Sequence, residues 1–509
     1  MTADEYADIA AACDRLLRAA GTSLARVAIP ALHLISEHPS CTSIYDSALH
    51  PERPLGRFRP LAAWEDAPRA VLRAGRAILR GLLHQDGPWL PPSNAGPIDV
   101  LIVSHLVNPL QLQREDDFYF GSLQRLLHER GATSMLAFVN HLPAAQVRKL
   151  RAERNTPFTN TPFTRMVLPD SAPPALEMQL WAQCLRARNA LRAAARSADE
   201  ALDRSVAMLA SRQAWLDSTA ANLRLNWSIA RICSLLTPRI VLTTYEGEAC
   251  ERLIWHAART NGRRPLCVGY QHVRLFPCSH AIRRPVGAPG IECDPDVILT
   301  LGDIPHEALS RAPGLSSVRF IKYGSHRRPA NPQVPPFEQR PERCLVLPDA
   351  DPYECAILFE FAIECARRLP AMTFALRPHP GTCLDALLPL APGLRELPGN
   401  AILATHSTLE QECETARYCL YRGSSAAMQA AAAGIQPFYL SRADELPFDP
   451  LAALPGWRET VSSPEEFAAR TRAAHADPQA AHAAASFCQR YISDVRPAAV
   501  RELLELVTP

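Results

Sequence analysis

The sequence predicts an α/β protein of two doubly wound, Rossmann-like units facing each other across a cleft, preceded by a helical extension. Its 509 residues exceed what one ordinary hydrophobic core accommodates, so two or three domains are expected. Short apolar runs alternate with helical patterns in two separate regions, which is typical of parallel sheets with helical crossovers. A polar, proline-rich stretch at 326–343 lies between these regions and predicts a linker.

Residues 1–95 are predicted to form the helical extension. Thr2 and Glu5 have the spacing of a capping box, and Gly21 is suited to the end of the first helix. Further along, arginines at 69, 73, 76 and 80 accompany apolar residues and predict an amphipathic helix over 69–83. Such a helix either docks on the protein with a solvated basic edge or makes a peripheral contact with an anionic inner membrane, and both readings stay open.

Residues 96–325 are predicted to be the first Rossmann-like domain, carrying a long helical insertion. Strands are expected at 99–104, 134–139, 239–243, 266–270 and 297–301. Long Ala- and Arg-rich helices, nearly free of Gly and Pro, are expected over 175–236.

Residues 344–475 are predicted to be the second Rossmann-like domain. Strands are expected at 344–347, 373–376, 401–404, 418–421 and 437–440, and helices at 352–369, 408–416 and 424–433. Ser463 is suited to cap a further helix, with Pro464 at its first position and Glu466 at its third. Residues 476–509 are predicted to be C-terminal helices. Ligands of such sheets bind at the carboxyl ends of the strands, so functional residues are expected there.

Composition and charge restrict the possible classes of protein. Hydrophobic residues make up 47% and charged residues 21%, as in a globular enzyme. Lys and Arg number 54 against 52 Asp and Glu, so the basic footprint of a nucleic-acid-binding protein is missing. The 15 cysteines occur singly, which indicates buried thiols in a reducing compartment. The sequence has neither a bilayer-length apolar run nor a signal-peptide pattern, so a cytoplasmic location is expected.

A first candidate site follows the predicted strand at 373–376. Pro378 and Pro380 restrict the backbone on both sides of His379, which can donate to a phosphate oxygen. Arg377 adds a permanent cation beside it. A rigid surface turn explains these residues equally well, so this motif alone does not identify a phosphate site.

A second motif that suits a phosphate follows the predicted strand at 418–421. Gly423 turns the chain, and Ser424 and Ser425 precede an Ala-rich helix whose N–H groups suit an anion. Plain N-capping by serine is the simpler explanation for this motif alone. The two motifs in one α/β unit favour a nucleotide phosphate site.

In the first domain the principal candidate is Glu246, at the turn between a strand and a helix, where Gly247 lets the chain reverse. A carboxylate there faces the cleft and can take a proton from a hydroxyl. Glu248 can share that role, and a helix-start acid favoured by the helix dipole is the alternative reading for Glu246. Three weaker candidates for acceptor or cleft contacts follow other strands, namely His105, Gln271 and His272. No His spacing matches a zinc site, so no metal is expected.

At these residues the chain resembles bacterial surface-polysaccharide glycosyltransferases of GT-B fold, namely Kdo (3-deoxy-manno-octulosonic acid) transferases and bacterial sialyl- and polysialyltransferases. Those families have an acidic-Gly motif in the first domain and His-Pro and Ser-Ser motifs in the second. Glu246-Gly247, His379-Pro380 and Ser424-Ser425 match them in order and spacing. The resemblance covers about residues 97–475. It departs in the first motif, which reads Tyr-Glu-Gly instead of two acids before the Gly.

The resemblance implies a metal-independent glycosyltransferase without a cofactor that uses a CMP-activated sugar as its donor substrate. The implied sugar is Kdo or another nonulosonic acid such as sialic, pseudaminic or legionaminic acid. The implied acceptor is a glycan or lipid-linked glycan of lipopolysaccharide, O-antigen or capsule biosynthesis.

In the mechanism that the resemblance implies, His379, Ser424 and Ser425 surround the donor phosphate, and Glu246 deprotonates the acceptor hydroxyl in an inverting displacement. Retaining chemistry with a carboxylate nucleophile stays open. The alternatives are a sugar-nucleotide epimerase or hydrolase of the same fold, which would turn over the donor alone, and a non-catalytic nucleotide-sugar-binding protein.

Overall fold

The computed structural model describes residues 1–49, 67–82, 96–142, 146, 163–260, 262, 264–327, 335–379, 382–405, 407–443, 445–454 and 456–507. Pro380, residue 83 of the predicted amphipathic helix and residues 328–334 of the predicted linker lie outside these ranges.

The first domain is built on a parallel sheet of seven strands. They are β1 (Val100–Leu106), β2 (Ser134–Asn140), β3 (Thr164–Val167), β4 (Ile240–Thr244), β5 (Leu266–Gln271), β6 (Val297–Thr300) and β7 (Arg319–Lys322). Their order is β3-β2-β1-β4-β5-β6-β7, and every pair is parallel. The strand order reverses between β1 and β4, so a crevice opens beyond the carboxyl ends of these two strands.

The second domain repeats this arrangement with six parallel strands. They are β8 (Arg343–Leu347), β9 (Thr373–Leu376), β10 (Ala401–Leu403), β11 (Tyr418–Tyr421), β12 (Gln436–Leu440) and β13 (Glu459–Val461). The order β10-β9-β8-β11-β12-β13 places the reversal between β8 and β11. Two Rossmann-like sheets with helical crossovers confirm the predicted α/β fold of GT-B type.

Helices at the N-terminus pack on the helical insertion of the first domain. The N-terminal helices are α1 (Ala3–Arg18), α2 (Leu24–Val27), α3 (Pro39–Leu49) and α4 (Ala67–Leu82). After α5 (Leu123–His128), the insertion consists of α6 (Pro174–Ser197), α7 (Ala201–Gln213) and α8 (Asp217–Leu236). Both sets share one apolar core that includes Ile9, Cys13 and Leu191. The predicted capping box is present, because Thr2 Oγ1 accepts from the N–H of Glu5 and Thr2 N–H donates to the Glu5 carboxylate.

The remaining helices cover the two sheets. They are α9 (Ala249–Arg259), α10 (Asp303–Ser310), α11 (Pro352–Arg368), α12 (Leu384–Leu387), α13 (Leu409–Thr415), α14 (Ala426–Ala432), α15 (Pro464–Ala473), α16 (Pro478–Tyr491) and α17 (Pro497–Glu505). Helices α11 and α13 begin and end close to the predicted residues, and α15 begins at Pro464 with Ser463 as its cap, as expected. Helix α14 begins at Ala426, two residues later than predicted.

The last two helices are divided between the domains. Helix α16 packs on α14 of the second domain, whereas α17 packs on α5 and β7 of the first. Ala499, Val500 and Leu503 of α17 belong to the apolar core beneath the first sheet. In the described part of the chain, no helix is both long and apolar enough to cross a bilayer.

Candidate active site in the interdomain cleft

The two domains meet at the carboxyl ends of their central strands. Glu246 follows β4, Arg274 follows β5, and Asp349 follows β8 of the other sheet. Nη2 of Arg274 lies 3.4 Å from Oδ2 of Asp349, so an ion pair spans the cleft. All three residues line a cavity of about 210 Å³, together with residues of the N-terminal segment 35–41. The cavity is therefore built from both domains and from the extension.

Glu246 is paired with an imidazole on the first-domain wall. Its Oε1 atom lies 2.8 Å from Nε2 of His272, and the ring of Tyr119 stands edge-on to His272 at 5.0 Å. Burial alone raises the pKa of Glu246, but His272 and Arg274 outweigh burial and leave this pKa below its ordinary value. Glu246 is consequently an ionised carboxylate at neutral pH, able to accept a proton.

The turn that presents Glu246 is built by Glu251. The buried carboxylate of Glu251 accepts the backbone N–H groups of Glu246, Gly247 and Glu248 at 2.9–3.0 Å. Gly247 has φ +89°, and a Cβ there would lie 2.6 Å from the carbonyl carbon of Ala281, so this position requires glycine. Glu251 thus has a structural role in this turn.

Glu248 lines a different cavity, of about 510 Å³, between the N-terminal segment 30–45 and α8. Most of its lining is apolar, including Leu34 and Ile44. Burial and the charge of Glu246 raise the pKa of Glu248 to about 7, against a hydrogen bond from the Cys250 thiol. Glu248 therefore differs from Glu246 both in the cavity that it lines and in the direction of its pKa shift.

The weaker first-domain candidates differ in their surroundings. His105 lies 3.1 Å from Thr244 Oγ1 through Nε2 and 2.9 Å from His141 through Nδ1, and burial lowers the pKa of His105 to about 3. It is therefore a neutral imidazole in the wall beside Glu246. Gln271 is fully buried and bonds the backbone of Val273 and Leu301. Both ends of its amide therefore brace the strand ends.

The described residues of the predicted phosphate site lie beyond the strands of the second domain. Arg377 Nη1 donates to the carbonyl of Ser407 at 2.6 Å. Burial lowers the pKa of His379 while Asp349 opposes that shift, so the imidazole is neutral near pH 7. Gly423 has φ +61°, and a Cβ there would lie 2.8 Å from the Phe448 ring.

The two serines that follow Gly423 have different exposures. Ser424 is buried and Ser425 is exposed. Helix α14 has only seven residues, and its N-cap Ser425 makes no side-chain capping bond. Among the described residues, no group of three or more His, Cys, Asp or Glu is arranged to hold a metal ion.

Sequence reasoning missed His38, Arg274 and Asp349 in this cleft. Asp349 directly follows the end of a predicted strand and was identifiable by that position. Arg274 lies past the strand end, where one sequence gives no pairing information. His38 lies in the extension, and nothing in its sequence context points to the cleft.

No protein-family model matches the sequence, and no curated protein is similar to it. Similar solved structures include a spinosyn rhamnosyltransferase complexed with thymidine diphosphate, with 18% identity over 80% of this chain and 100% of that chain and a TM-score of 0.46. The glycosyltransferase SnogD from Streptomyces nogalater has 16% identity over 81% and 100%, with a TM-score of 0.44. A UDP-GlcNAc 2-epimerase from Neisseria meningitidis bound to UDP-GlcNAc has 11% identity over 80% and 99%, also with a TM-score of 0.44. Because these TM-scores are below 0.5, the fold assignment rests on the strand order of the two sheets.

Proposed function

We propose that the protein is a glycosyltransferase that moves a sugar from a nucleotide-activated donor to a hydroxyl acceptor. The observation that carries this proposal is the ionised carboxylate of Glu246, paired with His272 and lining a cavity that both domains close. A fixed carboxylate at the switch point of one sheet, opposite the switch point of the other, suits proton removal from an acceptor while a donor occupies the second domain.

In this proposal the donor nucleotide lies beyond β9 and β11, where His379, Ser424 and Ser425 donate to its phosphate. Negative charge grows on that phosphate as the glycosidic bond breaks, so fixed donors there stabilise the transition state. The acceptor enters from the larger, mostly apolar cavity that Glu248 lines. Glu246 takes the hydroxyl proton, and direct attack on the sugar inverts its anomeric centre.

We infer that the donor is a CMP-sugar, with Kdo or another nonulosonic acid as the sugar and a bacterial surface glycan as the acceptor. The support is the order and spacing of Glu246-Gly247, His379-Pro380 and Ser424-Ser425. These three motifs match the families that use CMP-activated acidic sugars, and the chemistry requires no metal or cofactor.

Thermal shift with free nucleotides tests the donor class. CMP should raise the melting temperature more than UMP, GMP, UDP or GDP, since one bound ligand at about 100 times its Kd adds about 2.7 kcal/mol. A largest shift with UDP or GDP, and none with CMP, would contradict the CMP assignment. Rapid consumption of a donor without any acceptor would instead identify an epimerase or hydrolase.

We also propose that α4 contacts an anionic membrane at the cytoplasmic face of the inner membrane. Leu72, Leu79 and Leu82 are 60%, 62% and 67% exposed, and Arg76 and Arg80 are exposed beside them. The helix packs on α6, and its Ala77 is buried. An apolar stripe beside a basic stripe suits a helix lying in the membrane interface, where lipid-linked acceptors are found.

A further inference from the structure

The N-terminal segment Ser36–Cys41 enters the cleft and contacts the second domain. His38 lies at the centre of this contact, with its ring edge-on to Phe448 at a centroid distance of 4.6 Å. Phe448 in turn packs against Gly423 at the end of β11. A residue of the extension therefore reaches the part of the second domain where the donor is proposed to bind.

The imidazole of His38 presents an unused hydrogen-bond donor to the 210 Å³ cavity. Its Nδ1 atom accepts the Ser40 N–H at 3.1 Å and lies 2.6 Å from Ser40 Oγ, which leaves the proton on Nε2. His38 is only 8% exposed, and Nε2 is buried without a hydrogen-bond partner. Oδ1 of Asp349 is 3.9 Å from Nε2, beyond hydrogen-bonding distance.

A second unused donor lines the same cavity. Nε of Arg274 is buried without a hydrogen-bond partner, while Nη2 of the same guanidinium faces Asp349. Buried N–H groups left unpaired are costly, so two of them in one cavity indicate that a ligand supplies the acceptors.

Acceptors line the cavity as well as donors. The carboxylates of Asp349 and Glu246 face it, together with the hydroxyls of Ser36 and Ser279. Two carboxylates disfavour a free phosphate, and the Arg274 cation disfavours a metal ion. Alternating donors and acceptors around a volume of about 210 Å³ match a single polyhydroxylated ring.

We propose that this cavity is the subsite for the transferred sugar unit, in which His38 Nε2–H and Arg274 Nε–H donate to sugar oxygens and Asp349 accepts from a sugar hydroxyl. The proposal rests on the proposed glycosyltransferase function and extends it, because it makes the N-terminal extension part of the donor site. Nonulosonic acids and neutral sugars both present hydroxyl oxygens that can accept from the two N–H donors.

Calorimetric titration with paired ligands tests this subsite. The pairs are CMP with CMP-N-acetylneuraminic acid and UDP with UDP-N-acetylglucosamine, so the contribution of the sugar is measured for either nucleotide. His38→Phe keeps the ring contact with Phe448 but removes the N–H. In the pair that the wild type binds, it should weaken the nucleotide sugar by about tenfold and leave the bare nucleotide unchanged. His38→Gln, which restores an N–H donor, should recover part of the loss.

His306→Phe is the matched control, because His306 also packs edge-on against a phenylalanine, Phe320, but lies outside the cleft. It should leave both affinities of the pair unchanged. Equal weakening of nucleotide and nucleotide sugar by His38→Phe, or no weakening of either, would overturn the sugar subsite while the glycosyltransferase proposal stands. Binding of neither pair by the wild type, together with no thermal shift from any of the free nucleotides, would overturn the proposed function and the subsite together. Binding of the UDP pair alone would reject only the CMP assignment and still support the subsite if the sugar-specific loss is seen.

Discussion

Glu246 is the residue on which the proposed chemistry depends. Its neighbour His272 stabilises the charged carboxylate, and Glu251 fixes the turn that carries it. Gln has nearly the same size but cannot accept a proton at neutral pH. We expect Glu246→Gln to lower the transfer rate by about 10²–10⁴-fold. CMP affinity should stay close to that of the wild type, since the nucleotide is proposed to bind the other domain. Initial transfer rates and calorimetric CMP binding measure the two effects.

Two comparisons make the Glu246 test specific. Glu248→Gln should retain most of the transfer activity, because Glu248 lines the other cavity. His379→Ala should weaken CMP binding together with turnover, since its proposed partner is the donor phosphate. If Glu246→Gln transferred the sugar at nearly the wild-type rate and Glu248→Gln were inactive, the base would be Glu248 instead of Glu246.

Glu248 should give the protein a measurable pH dependence of stability. Glu has a pKa of about 4.3 in an unfolded chain, whereas burial raises the pKa of Glu248 to about 7 in the fold. Between these pH values the folded state holds a proton on Glu248 that the unfolded state has released. The contribution of Glu248 to the free energy of unfolding therefore falls as pH rises. Glu248→Gln has no such proton, so it should equal the wild type near pH 4 and be more stable by up to about 3 kcal/mol at pH 8.

Urea unfolding of Glu248→Gln and the wild type at several pH values measures this difference. Glu466→Gln is the control, because that exposed helix-capping carboxylate has its pKa lowered by Ser462 and Arg470. The stability that the Glu466 carboxylate contributes should be lost as pH falls, which is opposite to the pH dependence expected for Glu248. A constant difference between Glu248→Gln and wild type across the range would show that Glu248 titrates normally.

The sequence predicts those residues of this site whose position is decided by the end of a strand alone. Glu246, His272 and His379 follow strands with clear apolar patterns, so their place at the cleft edge follows from the sheet topology. His38 and Arg274 reach the cleft through loops whose paths depend on tertiary contacts, and no periodicity encodes such paths. Gln271 also follows a strand, but its amide is used by nearby backbone groups, a competition that a single sequence does not reveal.

At the scale of single elements, α4 carries the membrane prediction. Leu79→Glu replaces an exposed apolar side chain with a charge that anionic lipid repels. We expect the variant to bind vesicles of phosphatidylcholine with phosphatidylglycerol at least about tenfold more weakly than the wild type does, because burial of a leucine and charge attraction each contribute roughly 1–3 kcal/mol. Co-sedimentation at low ionic strength, with phosphatidylcholine vesicles in parallel, measures binding.

Leu235→Glu is the matched control, because Leu235 is an exposed leucine on α8. It should bind vesicles as the wild type does. Equal sedimentation of wild type with neutral and anionic vesicles would leave α4 as a helix docked on the protein with a solvated basic edge.

The elements that the sequence predicts best are those with strong apolar runs. Strands β9 and β11 match their predicted bounds. Strands β3, β7 and β13 were not predicted, since each is short and contains charged or polar residues. All three lie at the edges of their sheets, where one side lacks a partner strand and polar residues are tolerated. Edge strands depend on pairing with a neighbour and lack an apolar pattern of their own.

At the scale of the whole molecule, each end of the chain contacts the domain that is farther from it in the sequence. Segment 36–41 of the extension contacts the second domain, and α17, which follows that domain, packs on the first. Gly324 has φ +90° where the backbone of residues 493 and 494 approaches it, and Ser325 N–H donates to the Ser493 carbonyl at 2.9 Å. Contacts near both ends of the chain therefore join the two domains. The stability of one domain consequently depends on the other.

Leu503→Ala tests that dependence, because Leu503 lies on α17 and is buried in the core of the first domain. Removing this buried side chain should lower the free energy of unfolding by about 2–5 kcal/mol. Since α17 is joined to the second domain through α16, its release from the first domain should also weaken the interdomain contact and reduce CMP-sugar turnover more than CMP affinity. Urea unfolding, transfer rates and CMP titration measure these effects. Glu505→Ala, on the exposed side of the same helix, is the control and should change none of them. A destabilised Leu503→Ala with full turnover below its unfolding transition would show that α17 stabilises the first domain without coupling it to the second.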